Sequence, residues 1–191
     1  IPRPRRFGKT LNLNMLRCFF EKTDREGEDL FKNLAISRAG EEYLSHQGKY
    51  PVIYLTFKDV KYSDWPRCRK KLEREIASLC RQFEYLLHSS KLADIEHKNL
   101  KTLMNEEADP DLYNDSLKLL SEYLYRIHDR KVIILIDEYD IPIKQGYTHE
   151  FYDEVVEFVK TFLSGGLKDN PSLEKAVLTG ILRVAKESIF S

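Results

Sequence analysis

The run Val132-Ile133-Ile134-Leu135-Ile136 restricts the fold of this chain more than any other feature. In a strand, successive side chains point to opposite faces, so an unbroken apolar run leaves neither face for water. Burial on both faces is the signature of a parallel sheet held between helices. The segments around this run agree. Residues 51–57 (PVIYLTF) and 175–180 (KAVLTG) read as two further strands. Helical spacing recurs between them: residues 10–21 with Leu11, Met15 and Phe19 four apart, and 66–87 striped by Cys68, Leu72, Ile76, Leu79, Phe83 and Leu86. Residues 111–128 and 150–163 carry similar stripes, the last stopped by Gly165-Gly166. Ser63 or Asp64 caps the 66–87 helix, and Pro66 suits its first turn. Strands alternating with helices predict an α/β fold with a parallel sheet, the 132–136 strand lying between the other two.

Length and composition narrow the class. At 191 residues one domain spanning 1–191 is expected. With 42% hydrophobic and 32% charged residues, 8 Gly and 7 Pro, the chain is neither disordered nor collagen-like. Its apolar runs are too short for a membrane span or a signal peptide. Cys18, Cys68 and Cys80 form no disulfide framework and no zinc spacing, and read as buried or reduced thiols of a cytoplasmic protein. The five histidines are scattered and suggest no metal site. Trp65 reads as a packing residue at a helix start. The chain opens on Ile1 rather than Met and stops at Ser191, and is expected to be a fragment of a longer polypeptide, cut at both ends.

Lys and Arg balance Asp and Glu at 31 each, which gives no support for direct nucleic-acid contact. The balance hides a local asymmetry. Residues 1–10 hold Arg3, Arg5, Arg6 and Lys9 with no acid, whereas 137–157 hold seven acids against Lys144 alone. A basic loop and an acidic strand end match the needs of a polyphosphate with a divalent cation. Two solvated patches are the ordinary alternative.

Motifs locate these charges. Arg3-Pro4-Arg5-Arg6-Phe7-Gly8-Lys9-Thr10 ends as the Walker A pattern G-x-x-x-x-G-K-S/T does, opening a helix, with Arg3 in place of the first glycine. In that arrangement the backbone at Phe7 to Thr10 cradles phosphate at the helix N-terminus, within a nucleotide-binding set of Arg5, Arg6, Phe7, Gly8, Lys9, Thr10 and Leu11 whose two arginines add positive charge. Lys9 reaches the β- and γ-phosphates, and the Thr10 hydroxyl ligates Mg²⁺. The apolar strand ending in Asp137-Glu138 fits Walker B: Asp137 for Mg²⁺, Glu138 as the general base that activates water. Thr179, at the end of the 175–180 strand, suits sensing of the γ-phosphate or positioning of water. Arg183 suits neutralisation of transition-state charge, against an ordinary surface arginine. Asp140 reads as a solvated turn acid, with a place behind the metal site as the alternative.

The strings RPRRFGKTLNLNML, YPVIYLTF, VIILIDEYDIPI and LKDNPSLEKAVLTGILRVAKESIFS together resemble the bacterial AAA-ATPase-like (predicted AAA-ATPase) proteins, in order and over essentially the whole chain. The resemblance implies a three-layer P-loop NTPase-like sheet, here lacking the strand before the P-loop, which would lie beside the Thr179 strand. It implies nucleotide and Mg²⁺ roles for Lys9, Thr10 and Asp137, a catalytic role for Glu138, and Arg3 as the usual residue in its place. It also implies ATP over GTP, and a C-terminal nuclease-like domain of the PD-(D/E)XK type as a frequent neighbour, absent from this chain. Thr179, Arg183 and Lys168-Asp169-Asn170 match recurrent strings of undefined role. The leading expectation is Mg²⁺-dependent ATP hydrolysis that drives a conformational switch in a larger protein. A non-hydrolysing nucleotide-sensing or scaffold module is the alternative, and a nucleic-acid-processing partner is a third reading. Oligomeric state is left open.

Overall fold

The computed structural model describes residues 7–22 and 30–181. Three strands, β1 (Val52–Thr56), β2 (Val132–Asp137) and β3 (Leu173–Leu178), form a parallel sheet in the order β1-β2-β3. The apolar run is therefore central, flanked as its composition requires, and all six β2 residues are buried. The helices are α1 (Lys9–Phe20), α2 (Glu41–Leu44), α3 (Trp65–Arg81), α4 (Asp94–Met104), α5 (Pro110–His128), α6 (Ile141–Thr148) and α7 (Tyr152–Leu167). No helix among the described residues is long and apolar enough to cross a membrane.

Strand alternation divides the sheet into two faces. Ile53, Leu55, Val132, Ile134 and Ile136 point into the larger core, formed with α3, α4, α5 and α7. Val52, Ile133 and Leu135 point the other way, toward Leu13 of α1 and Tyr50. Glu174 is an extra residue in the β2–β3 ladder: Val132 pairs with Leu173 but Ile133 pairs with Lys175. That shift sets Ile136 opposite Leu178, so that Asp137 and Thr179 follow on the α1 face.

Local chemistry sets the helix ends. Asp64 accepts from Arg67 N–H at 3.0 Å and Asp109 from Leu112 N–H at 2.8 Å, with Pro66 and Pro110 in the first turns. At α4 the Glu96 carboxylate reaches back to Ala93 N–H, 2.8 Å away.

Several elements differ from the sequence expectation. α1 buries Leu13 (1% exposed), while the four-residue stripe leaves Leu11 at 65% and Met15 at 43%. Phe19, the third residue of that stripe, is buried as expected (8% exposed), but Leu16 and Phe20 join Leu13 against the sheet, so the buried face is only partly the one the spacing marks. The 66–87 helix ends at Arg81, where Gln82 and Phe83 N–H turn to carbonyls three residues back and a 3₁₀ segment (Glu84–His88) carries Leu86 into the core. The polar 88–110 stretch contains α4, and a further helix, α6, follows Asp140. Finally, α7 runs through Gly165-Gly166 rather than stopping there. A Cβ on Gly166 would lie 2.5 Å from Leu117 Cγ, so this glycine permits close approach of α5 and α7. Asn170, in the Lys168-Asp169-Asn170 string, secures the same junction by donating to Gly166 O at 2.8 Å and to Ser121 Oγ at 3.0 Å. Cys68 and Cys80 are buried as expected, whereas Cys18 is exposed.

Candidate functional site

Residues from both ends of the described chain meet at the C-terminal edge of the sheet. Gly8 precedes α1 with φ 68° and ψ 19°, a left-handed conformation that a side chain would strain. A Cβ there would find open space, its nearest neighbour being Asn12 Nδ2 at 3.9 Å, so backbone conformation alone calls for glycine. Gly8, the residue at the N-cap, has no side chain to cap this end of α1, and no acid lies in its first turn. The first turn of a helix leaves N–H groups without intrahelical partners, and the positive end of the helix dipole lies behind them.

Asp137 ends β2 and is 1% exposed. A buried carboxylate needs hydrogen-bond donors, and this one has two. Thr10 Oγ1 donates to Oδ2 at 2.6 Å across 127 positions of sequence, and Thr179 Oγ1 donates to Oδ1. The sequence thus places Thr10, Asp137 and Thr179 together, and the register of β2 and β3 is what delivers the third. Thr179 N–H also donates to Ile136 O at 2.9 Å, continuing the ladder beyond β3.

Glu138 follows with φ 53° and breaks the strand. It lines a cleft of about 430 Å³ with Gly8, Lys9, Thr10, Leu11, Lys61, Ile141 and Ile181. Cleft volumes of this order accommodate small-molecule ligands. Phe7 is exposed beside it. A groove of about 490 Å³ along α4 (Asp94, His97, Lys98, Lys101, Thr102, Asn105 and Glu107) contains none of the predicted site residues. Sequence reasoning gave no reason to single out Lys61, Ile141 or Ile181, which stand in loops or at a helix start and carry no motif. Arg3, Arg5, Arg6 and Arg183 lie outside the described residues.

Asp140 is a correction: it is 2% exposed rather than solvated, and its Oδ2 accepts Ile181 N–H at 2.9 Å. On the α1 face of β1, burial pushes the Tyr54 phenol up, with further upward pressure from the Asp137 and Glu138 carboxylates against a downward pull from Arg17. The Arg17 guanidinium sits over the Tyr54 ring, 5.4 Å from its centroid.

Oxygen donors fit a hard divalent cation, and Thr10 and Asp137 supply a hydroxyl beside a carboxylate. Among the described residues no three His, Cys, Asp or Glu side chains gather as a cage. Mg²⁺ commonly binds through one or two carboxylates, with substrate phosphates and water completing its shell.

The family described as "Predicted AAA-ATPase", AAA-ATPase-like, matches residues 1–190. The chain belongs to this family. No curated protein and no solved structure matches it. In this AAA-ATPase-like chain the start of α1 and a buried strand-end aspartate are joined through Thr10.

Proposed function

We propose that this AAA-ATPase-like chain binds Mg²⁺–ATP in the cleft between α1 and the C-terminal edge of the sheet, and hydrolyses it to drive a conformational change in a larger protein. The observation that carries this reading is the Thr10–Asp137 hydrogen bond, which joins the Walker A-like loop to the Walker B-like strand end. The family description supports ATP as the nucleotide.

Each residue then has a task. The N–H groups at the start of α1 receive phosphate oxygens, where the helix dipole favours negative charge. Lys9 neutralises the β- and γ-phosphates. Thr10 and Asp137 hold Mg²⁺, which supplies charge neutralisation and orientation of the phosphate chain. Thr179 fixes the rotamer of Asp137 through its hydroxyl, acting as a positioning residue. Glu138, at the cleft wall, takes the proton of the attacking water.

The experiment compares Lys9→Ala, Asp137→Asn and Glu138→Gln in the full-length protein. Lys9→Ala should lose nucleotide affinity, and Asp137→Asn should lose its Mg²⁺-dependent part. Glu138→Gln should keep binding but hydrolyse about 10²–10⁴-fold more slowly in single turnover, leaving intact ATP on the protein. Equal binding by wild type and Lys9→Ala would sink the site. Binding without turnover in the wild type would leave a nucleotide-sensing module instead.

A further inference from the structure

The loop from β1 to α3 brings a second lysine to the cleft. Its backbone is tightly turned: Val60 N–H donates to Phe57 O at 3.0 Å and Lys61 N–H to Asp59 O at 3.1 Å. Core packing pins it on both sides of Lys61. Phe57 and Val60 are fully buried, Tyr62 packs against the same core, and Asp64 caps α3. The loop also starts at the site, because Phe57 N–H donates to Asp137 O at 3.0 Å. Thr56 pairs with Asp137, so the loop leaves the sheet on the β1 side of the carboxylates while Thr179 stands on the β3 side.

Lys61 is the residue of this loop that lines the cleft, and it does so beside Lys9, Thr10 and Glu138. It makes no ion pair among the described residues. Its neighbour Asp59 acts elsewhere, helping to hold the Lys71 ammonium above its ordinary range behind the larger effect of Glu75. An exposed ammonium on a rooted loop, at the rim of a cleft whose other described cation is Lys9, is a charge without an ion-pair partner among the described residues. Polyphosphate is the ligand chemistry that gives it one.

We propose that Lys61 is a phosphate-contacting residue of this cleft and recognises the terminal phosphate of the bound nucleotide. This rests on the nucleotide reading above and deepens it. Lys9 and the N-terminus of α1 hold the phosphate chain from the helix side. Lys61 arrives from the β1 side of Glu138, at the end of the chain where the attacking water must stand. Its charge then distinguishes a triphosphate from a diphosphate, and it offsets charge on the oxygens as the terminal bond breaks.

The test measures binding of a non-hydrolysable ATP analogue and of ADP, each with Mg²⁺, to full-length wild type, Lys61→Ala, Lys61→Gln, Lys61→Arg and Lys9→Ala. Loss of one charge-assisted contact should weaken the triphosphate about tenfold to a hundredfold in Lys61→Ala and Lys61→Gln. ADP affinity should be unchanged in both, and Lys61→Arg should retain the triphosphate preference. The ligand-free unfolding midpoint should match wild type, since the side chain is exposed. An undiminished triphosphate preference in Lys61→Ala overturns the proposal, as do equal losses for both nucleotides. A lowered ligand-free midpoint in both neutral variants also overturns it, by assigning Lys61 to the fold. If Lys9→Ala loses both nucleotides while Lys61→Ala loses neither, the nucleotide site stands and only the Lys61 assignment fails. If Lys9→Ala binds like wild type, the nucleotide reading itself fails and takes this one with it.

Discussion

The described residues cover the two faces of the sheet unequally. On one, α3, α4, α5 and α7 enclose an extended core in which Phe57, Leu72, Leu86, Leu124, Ile134 and Phe162 are wholly shielded from water. On the other, α1 is the helix that packs on the sheet among the described residues, and its apolar contact comprises Leu13, Tyr50, Val52, Ile133 and Leu135 with a few half-buried neighbours. All the paired site groups, Thr10, Asp137 and Thr179, belong to this thin side. A layer that buries little apolar surface contributes little stability, but it leaves room for a cleft lined by the start of α1 and by Glu138. Deep packing supports the sheet from one side, and the cleft that we propose as the nucleotide site lies on the lightly covered side.

That division can be broken by mutation. The largest effect should come from Phe162→Ala in α7, which removes a fully buried ring and costs about 3–5 kcal/mol. Leu13→Ala on the thin face should cost only about 2 kcal/mol, the low end for such a truncation, because α1 can settle toward the sheet. Denaturant midpoints at equal m-values measure both. A Leu13 variant as damaged as the Phe162 variant would refute the contrast. Next comes Thr179→Val, which keeps shape but strips a hydrogen bond from a buried carboxylate. It should destabilise by about 1–3 kcal/mol and weaken Mg²⁺-dependent nucleotide binding. Unchanged stability would mean that Asp137 does not depend on this hydroxyl.

The smallest effect is one of chemistry rather than energy. Burial pushes the Cys68 and Cys80 thiols up to about 12, so they stay protonated and inert at neutral pH. Cys18, exposed on α1, should be the thiol that alkylating reagents label in the folded protein, with all three labelled once it is denatured. Rapid native labelling of Cys68 would show that the thick face opens.

Legibility in the sequence followed the same division. The parallel sheet, its order and its three strands follow from runs of apolar β-formers with no wet face, a signal that survives without any knowledge of partners. Thr10 and Asp137 were marked by residue type and spacing. Helix α4 was not, because its apolar residues Leu100, Leu103 and Met104 crowd its last turns while Ile95 is exposed. The face of α1 is only partly legible because leucines stand on both of its sides, Leu11 exposed and Leu13 buried, while Phe19 is buried as its spacing suggests. Gly165-Gly166 carried the sequence mark of a helix stop, and only the proximity of Leu117 explains why the helix needs a glycine there. Lys61 had no mark at all: its place comes from the β1–β2 register and a rooted loop, both tertiary facts.

Gly180 has a mechanical consequence. A Cβ at this position would come within 2.6 Å of Asp140 Oδ1 and 3.0 Å of the Tyr139 ring, while Asp140 holds Ile181 N–H. Tyr139 N–H in turn donates to Thr179 O at 3.2 Å. The exits of β2 and β3 are thus clipped together at van der Waals range, with no slack for even one methyl group. Whatever tilts the turn after Glu138 must carry the end of β3 with it, so the two strand exits act as a single lever whose fulcrum is the site.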